Sequence, residues 1–287
     1  MTMSAPSLSK QVQAFFADYL VAQRDLSPHT VLAYRDAFKL YLSFGAKREK
    51  KPVADLTFED LSPEGVLAYL EDLEKRRGNS ARTRNARLAA LHTFFRFVAA
   101  REPRLLDLCQ RVSAIPIKKT APPVVVYIEH EELLHVLATI DRATRLGRRD
   151  DLILRMLFDT GARAQEIASL RTPALQLDRR PQVRLLGKGR KERICPLRPE
   201  TVPLIRDYLR ERGIAPGQDA PLFASARGGP LTRYGILRIV KRRVARSAPS
   251  MPSLGKKSVV AHSLRHAAAL HLLRAGNDIS TVRSWLG

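Results

Sequence analysis

The sequence predicts a mainly α-helical protein with one small β-hairpin, divided into a helical amino-terminal domain and a mixed α/β carboxy-terminal one. Three observations predict it. Apolar residues recur at i, i+3, i+4 and i+7 through most of the 287 residues, the period of a helix with one buried face. One pair of short apolar runs, on either side of Gly187 to Glu192, has the character of paired strands. Between the two parts, Ser113 to Val126 carries Pro116, Pro122 and Pro123 but no period, and reads as an extended connection. The expected division is 1–112 and 127–287, joined by 113–126.

In chain order, Val12, Phe15, Phe16, Tyr19 and Leu20 form the apolar side of a first helix. Ser27-Pro28 and Ser62-Pro63 each place an N-cap before a proline at the first helical position, where a missing N–H is harmless. They open helices with Val31, Tyr34, Phe38 and Tyr41, and with Val66, Tyr69, Leu70 and Leu73, on the inner side. Ser80 opens a fourth, buried through Leu88, Leu91, Phe95 and Val98, with Arg82, Arg84, Arg87 and Arg96 on the remaining surface. Four helices make a small bundle. In the second part, Glu129, Glu131 and Glu132 favour a helix start through the macrodipole, with Leu133, Leu134 and Leu137 as its apolar side. Another helix runs from about Asp150 to Asp159, and Thr160-Gly161 breaks it before a new start at Ala162. Val183–Leu186 and Arg193–Leu197 pair as the hairpin. Helices follow over 200–212 and 232–247, then a Pro, Ser and Lys-rich loop over 248–258, a helix from His262 closed by Gly276, and a last one from Ile279 to Leu286.

Lys and Arg number 50 against 28 Asp and Glu, a formal charge of +22 with a pI near 10.8, more than solubility requires. A polyanion partner is expected, double-stranded DNA first. Arg82, Arg84, Asn85 and Arg87 at the start of the fourth helix suit phosphates and base edges. Lys118 and Lys119 suit a path along DNA, and Arg238 and Arg242, with Arg233, Lys241, Arg243 and Arg246, make the exposed side of the 232–247 helix basic. A plain solvated basic face is the alternative for each of these. No stretch is apolar and long enough to span a bilayer, and Met1 to Pro6 lacks the regions of a secretory signal, so a cytoplasmic, DNA-associated location is expected. Cys109 and Cys195 lack metal-site spacing and read as two reduced thiols. Neither a metal nor a cofactor is implied.

Three motifs carry chemistry. His262 and Arg265, three residues apart, share one side of a helical turn, where a guanidinium fork and an imidazole can address one anionic group. Arg163 stands at the Gly161 corner with Glu166 one turn on, so a carboxylate can orient its fork; an ordinary surface ion pair is the alternative. Lys188 lies between Gly187 and Gly189 at the hairpin tip, where an ammonium can approach a ligand and protonate a leaving oxygen. The glycine spacing is not that of a P-loop.

Taken in order, Gly161-Ala162-Arg163-Ala164-Gln165-Glu166, Gly187-Lys188-Gly189-Arg190-Lys191-Glu192-Arg193 and His262-Ser263-Leu264-Arg265-His266 with Leu286-Gly287 resemble the catalytic boxes of the tyrosine recombinases, the phage-integrase family. The amino-terminal half is similar to that family's helical core-binding domain, including the start at Ser27 and Thr30 and the Arg-rich helix after Ser80. The resemblance implies a core-binding domain followed by a mixed α/β catalytic domain, with Thr30 among the DNA contacts. It implies that Arg163 and Arg265 clamp the scissile phosphate, Lys188 protonates the leaving 5′ oxygen and His262 assists proton transfer. Glu166 and His266 support them, and a tyrosine forms a 3′-phosphotyrosyl link that stores the bond energy without ATP.

Members of that family continue after Leu-Gly to a nucleophilic tyrosine on a following helix. The seven tyrosines of these 287 residues, Tyr19, Tyr34, Tyr41, Tyr69, Tyr127, Tyr208 and Tyr234, all precede His262. The expectation is a catalytic domain incomplete at its carboxy-terminal side that binds DNA without cleaving it, and a synaptic tetramer weakened or absent relative to the full-length protein. A type IB topoisomerase would use similar chemistry, and a catalytically inactive DNA-binding regulator derived from a recombinase is the alternative of a different class.

Overall fold

A computed structural model describes residues 7–122, 125–187 and 191–287. It separates into two compact units, Met1–Pro122 and Pro123–Gly287. Helices dominate both, and among the described residues none is long and apolar enough to cross a membrane.

In the first unit, α1 (Leu8–Ala14) runs into a π-helical stretch, Phe15–Gln23, where one regular helix was expected. The wider winding has a physical reason. Phe15 and Leu20 are both fully buried, yet at ordinary α pitch residues five apart point about 140° away from each other. Phe15 then meets the rings of Phe38 and Phe94 at 5.7 and 5.3 Å. The serines expected to open helices do so: Ser27, Ser62 and Ser80 accept from Thr30, Gly65 and Thr83 N–H at the starts of α2 (Pro28–Glu49), α3 (Pro63–Lys75) and α4 (Ala81–Ala99). The bundle has one more helix than the four expected. α5 (Leu106–Ser113) packs on α4 through Cys109 and Val112, and its two turns are too short to show a clear period.

In the second unit, α6 (His130–Ala138) is followed by α7 (Arg145–Thr160), which ends on Gly161 in the left-handed conformation, φ 60°. After α8 (Ala164–Ala168) come β1 (Leu175–Gln176), β2 (Gln182–Leu186) and β3 (Glu192–Pro196). They form one antiparallel sheet in that order, Val183 opposite Cys195 and Leu185 opposite Arg193. α9 (Thr201–Glu211) and α10 (Arg233–Ser247) follow. The loop expected over 248–258 contains a short helix, α11 (Pro252–Gly255), started by its proline. α12 (Ala261–Arg274) crosses α7, and α13 (Ile279–Leu286) packs on β3 and α12. Ile153, Leu157, Val183, Leu185 and Leu264 meet in the core beneath this crossing.

Two arginines expected on helix surfaces are buried, Arg84 at 5% and Arg243 at 7% exposed. Arg243 lies in the core because Asp150, itself fully buried, receives it: Nε and Nη2 of Arg243 reach Asp150 Oδ2 at 2.8 and 2.7 Å. Arg242 adds a bond to the same oxygen at 2.7 Å, and Arg149 bonds Oδ1 at 2.7 Å. One carboxylate thus joins α7 to α10 through two guanidinium groups of α10, with a third from its own helix.

Candidate active site

The α7–α8 turn, β3, α12 and α13 bring their polar side chains to one place. Gly161 makes the turn possible twice over. Its positive φ suits glycine, and a Cβ there would collide with Leu286 Cδ2 of α13. Arg163 follows at the entry to α8, its own N–H donating to Glu166 Oε2 (2.8 Å) and its Nη1 to Oε1 (2.9 Å). The orienting carboxylate expected from the i, i+3 spacing is present, but it is not a surface pair. Glu166 is buried, and Arg193 grips it from the other side, Nη1 to Oε1 at 3.1 Å and Nη2 to Oε2 at 2.6 Å.

Arg265 comes from the first turn of α12 and is 8% exposed. Its Nη1 donates to Gly161 O (2.9 Å) and its Nη2 to Gly287 O (3.2 Å). Arg163 Nη2 donates to the same Gly287 oxygen at 3.3 Å. The two forks thus converge on one acceptor oxygen. His262 lies exposed one turn before His266, ring centroids 4.4 Å apart and nearly perpendicular. The hairpin root closes on the site: Gly187 N–H donates to Lys191 O, and a Cβ at Gly187 would stand 3.5 Å from Glu166 Oε1. Lys188 itself lies outside the described residues.

The electrostatics follow from three guanidinium groups sharing one carboxylate. Burial pushes the Glu166 carboxyl up, but the bonds from Arg193 and from Arg163 N–H outweigh it and hold the pKa below the usual range. Burial, then the charges of Arg163 and Arg193, bring Arg265 down to about 10. It stays charged at neutral pH, in a site where an added anion is stabilising. Burial and the neighbouring His266, Arg265 and Arg163 lower His262 from its ordinary 6.5, so the ring is neutral at pH 7. The folded state therefore binds fewer protons at His262 than the unfolded chain just below pH 6.5, and stability falls as the pH drops through that range. We expect an NMR titration of His262 with a midpoint below 6.5 that rises when DNA occupies the site; a midpoint at or above 6.5 in the free protein would show that these cations do not face the ring.

Arg193 was not singled out by its motif, yet the strand period contained the signal. Alternation along β3 turns Arg193 and Cys195 to the inner face and Ile194 outward. Arg193 Nε also donates to Trp285 O (2.9 Å), and Trp285 Nε1 to Asp159 O (3.3 Å), fixing α13 over the pocket. Cys109 and Cys195 are both free and buried, and burial pushes both thiols up.

The residues expected to contact DNA are placed less uniformly. Arg82, Lys119 and Arg238 are exposed. Thr30 is half-buried and bonded to the Ser27 cap. Arg87 Nη1 reaches Ala33 O at 3.3 Å, and Arg242 is held by Asp150. Arg84 and Asn85 bond the backbone of Pro116 and Lys118, while the Lys118 side chain is exposed and its ammonium reaches Glu74 of α3.

The phage integrase family profile matches residues 126–287, and that of the phage integrase N-terminal SAM-like domain matches residues 13–102. The putative integrase/recombinase y4rC of Sinorhizobium fredii (strain NBRC 101917 / NGR234) is 39% identical over 281 residues, covering 98% of this chain and 84% of that protein. The tyrosine recombinase XerC of Roseiflexus castenholzii (strain DSM 13941 / HLO8) is 30% identical over 286 residues, 98% of this chain and 85% of its own. Among solved structures, the post-cleavage complex of the XerH site-specific recombinase with a palindromic difH substrate has a TM-score of 0.69 at 21% identity, over 92% of this chain and 74% of that one, a likeness of fold. Matched along both halves, and similar across nearly its whole length to integrases and recombinases, the chain belongs to the phage integrase family.

Proposed function

We propose that the protein is a site-specific DNA recombinase that breaks and rejoins duplex DNA through a 3′-phosphotyrosyl link. One observation carries the reading: Arg163 and Arg265, from separate elements, donate to a single oxygen. Two forks so placed bind a scissile phosphate and gain strength as charge builds on its equatorial oxygens. A tyrosine oxygen attacks phosphorus, the bond to the 5′ oxygen breaks, and that oxygen takes a proton. Lys188 is the proton donor by family resemblance, and neutral His262 assists transfer on the attacking side. The reverse step reseals the strand with no ATP, because the phosphodiester energy is kept in the phosphotyrosine. Arg193 acts through Glu166, holding the Arg163 fork in place. The protein works in the cytoplasm on DNA, with Arg82, Lys119 and Arg238 among its phosphate contacts.

Among the described residues no hydrogen bond joins a tyrosine to Arg163 or Arg265; Tyr41 and Tyr69 are buried in the core of the first unit, Tyr208 packs on Phe223, and Tyr234 is 70% exposed on α10. On this reading none of the seven tyrosines is the nucleophile, and the protein acts on DNA as a synaptic tetramer. The 287-residue chain should retain end-labelled duplex on a filter, with affinity falling roughly 10³–10⁵-fold between about 50 and 200 mM salt if it meets about six to ten phosphates. It should give no DNA adduct on a denaturing gel. An adduct would place the nucleophile within the chain, and salt-insensitive binding would remove the electrostatic part of the reading. The same lack of a nearby tyrosine favours a second reading, a regulator that occupies DNA without cutting it; its biological effect would survive loss of Arg265.

A further inference from the structure

Arg84 and Asn85 have the residue types of base readers, but the fold uses them otherwise. The Asn85 side-chain amide pairs with both backbone groups of Lys118: Nδ2 donates to Lys118 O (2.8 Å) and Oδ1 accepts from Lys118 N–H (3.1 Å). This is the pattern of a strand partner, satisfied by one side chain. Arg84 Nη1 donates to Pro116 O (3.1 Å) and to Asn85 Oδ1 (3.1 Å), which orients the amide. The Lys118 ammonium reaches Glu74 Oε2 of α3 at 2.7 Å. Ile115 is buried beneath this crossing. Three residues from two helices therefore hold a segment that has no secondary structure of its own.

We propose that Arg84 and Asn85 are positioning residues that clip residues 116–118 to the first unit, so that the connecting segment leaves it at Lys119 and not at Ser113. A donor and an acceptor committed to the backbone of Lys118 are not available to a base edge. The clip also shortens the free connection. Releasing residues 114–118 would add about five residues, roughly 17 Å of contour at about 3.4 Å each. For two units that hold one duplex, which rests on the function proposed above, the effective concentration of one unit for its DNA falls as about the −3/2 power of linker length. Lengthening a tether from about nine to about fourteen residues lowers it about two-fold.

The test is amide hydrogen exchange on the full 287-residue chain without DNA, read at Lys118 by NMR. Asn85→Ala should accelerate exchange of the Lys118 N–H at least about ten-fold, the loss of one protecting bond in a solvated segment. Asn85→Asp keeps the acceptor and loses the donor, and should give a smaller acceleration. Unchanged exchange in both variants would overturn the clip. A companion measurement uses duplexes differing at single base pairs. The clip predicts that N85A weakens binding about two-fold on every sequence alike, whereas a loss of about ten-fold or more confined to one base pair would make Asn85 a base reader and overturn the proposal. The exchange result stands whether or not the protein binds DNA, so failure of the clip and failure of the recombinase reading are separable.

Discussion

Replacing Arg265 with Ala should lower strand cleavage by the active recombinase about 10³-fold or more, measured as single-turnover cutting of a labelled target duplex. The magnitude comes from what the fork does. One donor aimed at developing charge in a water-poor site is worth about 10²–10³ in rate, and an arginine finger about 10³–10⁵. DNA affinity should fall much less, because one contact of many is lost. Arg265 also bonds Gly161 O, so its loss leaves that carbonyl unpaired at a cost of about 1–3 kcal/mol, and folding must be checked by thermal melting. Arg163→Ala supplies the control. Arg163 is half-exposed and supports the fold less, yet should lose activity to a similar degree. The double variant should be little worse than either single one, since the two forks act as a unit. Lysine will not rescue either position, because a point charge cannot reproduce a planar fork. Cleavage within about ten-fold of wild type in both variants would sink the proposed chemistry.

Asp150→Asn should be the most destabilising conservative change in the second unit. Asp150 is fully buried, and Arg149 and Arg243 are buried with it. Removing the one carboxylate leaves two buried cations with no counter-charge, and breaking such a pair costs about 3–5 kcal/mol. For a unit of this size that corresponds to a fall in melting temperature of roughly 10 °C. Replacing Arg243 with Met in the same chain should recover part of the loss, because the uncompensated charge goes too. Asp178→Asn is the contrast: its partner Arg206 lies at 2.7 Å, but both side chains are largely exposed, and the change should move stability by no more than about 0.5 kcal/mol. Equal effects at 150 and 178 would mean that burial does not set the worth of these pairs.

Helix starts were legible because their signals are local. A serine cap with proline after it specifies a start within four residues, and Ser27 and Ser62 do so. The hairpin was legible for the same reason. What the sequence hid is whatever depends on a distant partner. Arg84 in the first turn of α4 reads as exposed until Pro116 and Lys118 return over it. Arg243 reads as part of a basic face until Asp150, 93 positions away, draws it inward. The motif order indicated that Arg163 and Arg265 belong together, but not that Arg193 braces Glu166 between them. The strand period places Arg193 inside, with Cys195, against the tendency of its charge. The π winding at Phe15 accompanies an aromatic cluster whose members come from three segments, and no local rule anticipates it.

The bond from Arg265 to Gly161 closes across 104 positions, and that from Arg193 to Trp285 across 92. Contacts of such separation form late, after the entropy of closing a long loop has been overcome. While the chain is being synthesised, Arg163 emerges long before Arg265 exists, and the amino-terminal unit can fold before the second unit is complete. A half-made polypeptide thus lacks the paired forks of Arg163 and Arg265. The site is completed only once α12 and α13 have been made and packed on α7 and β3.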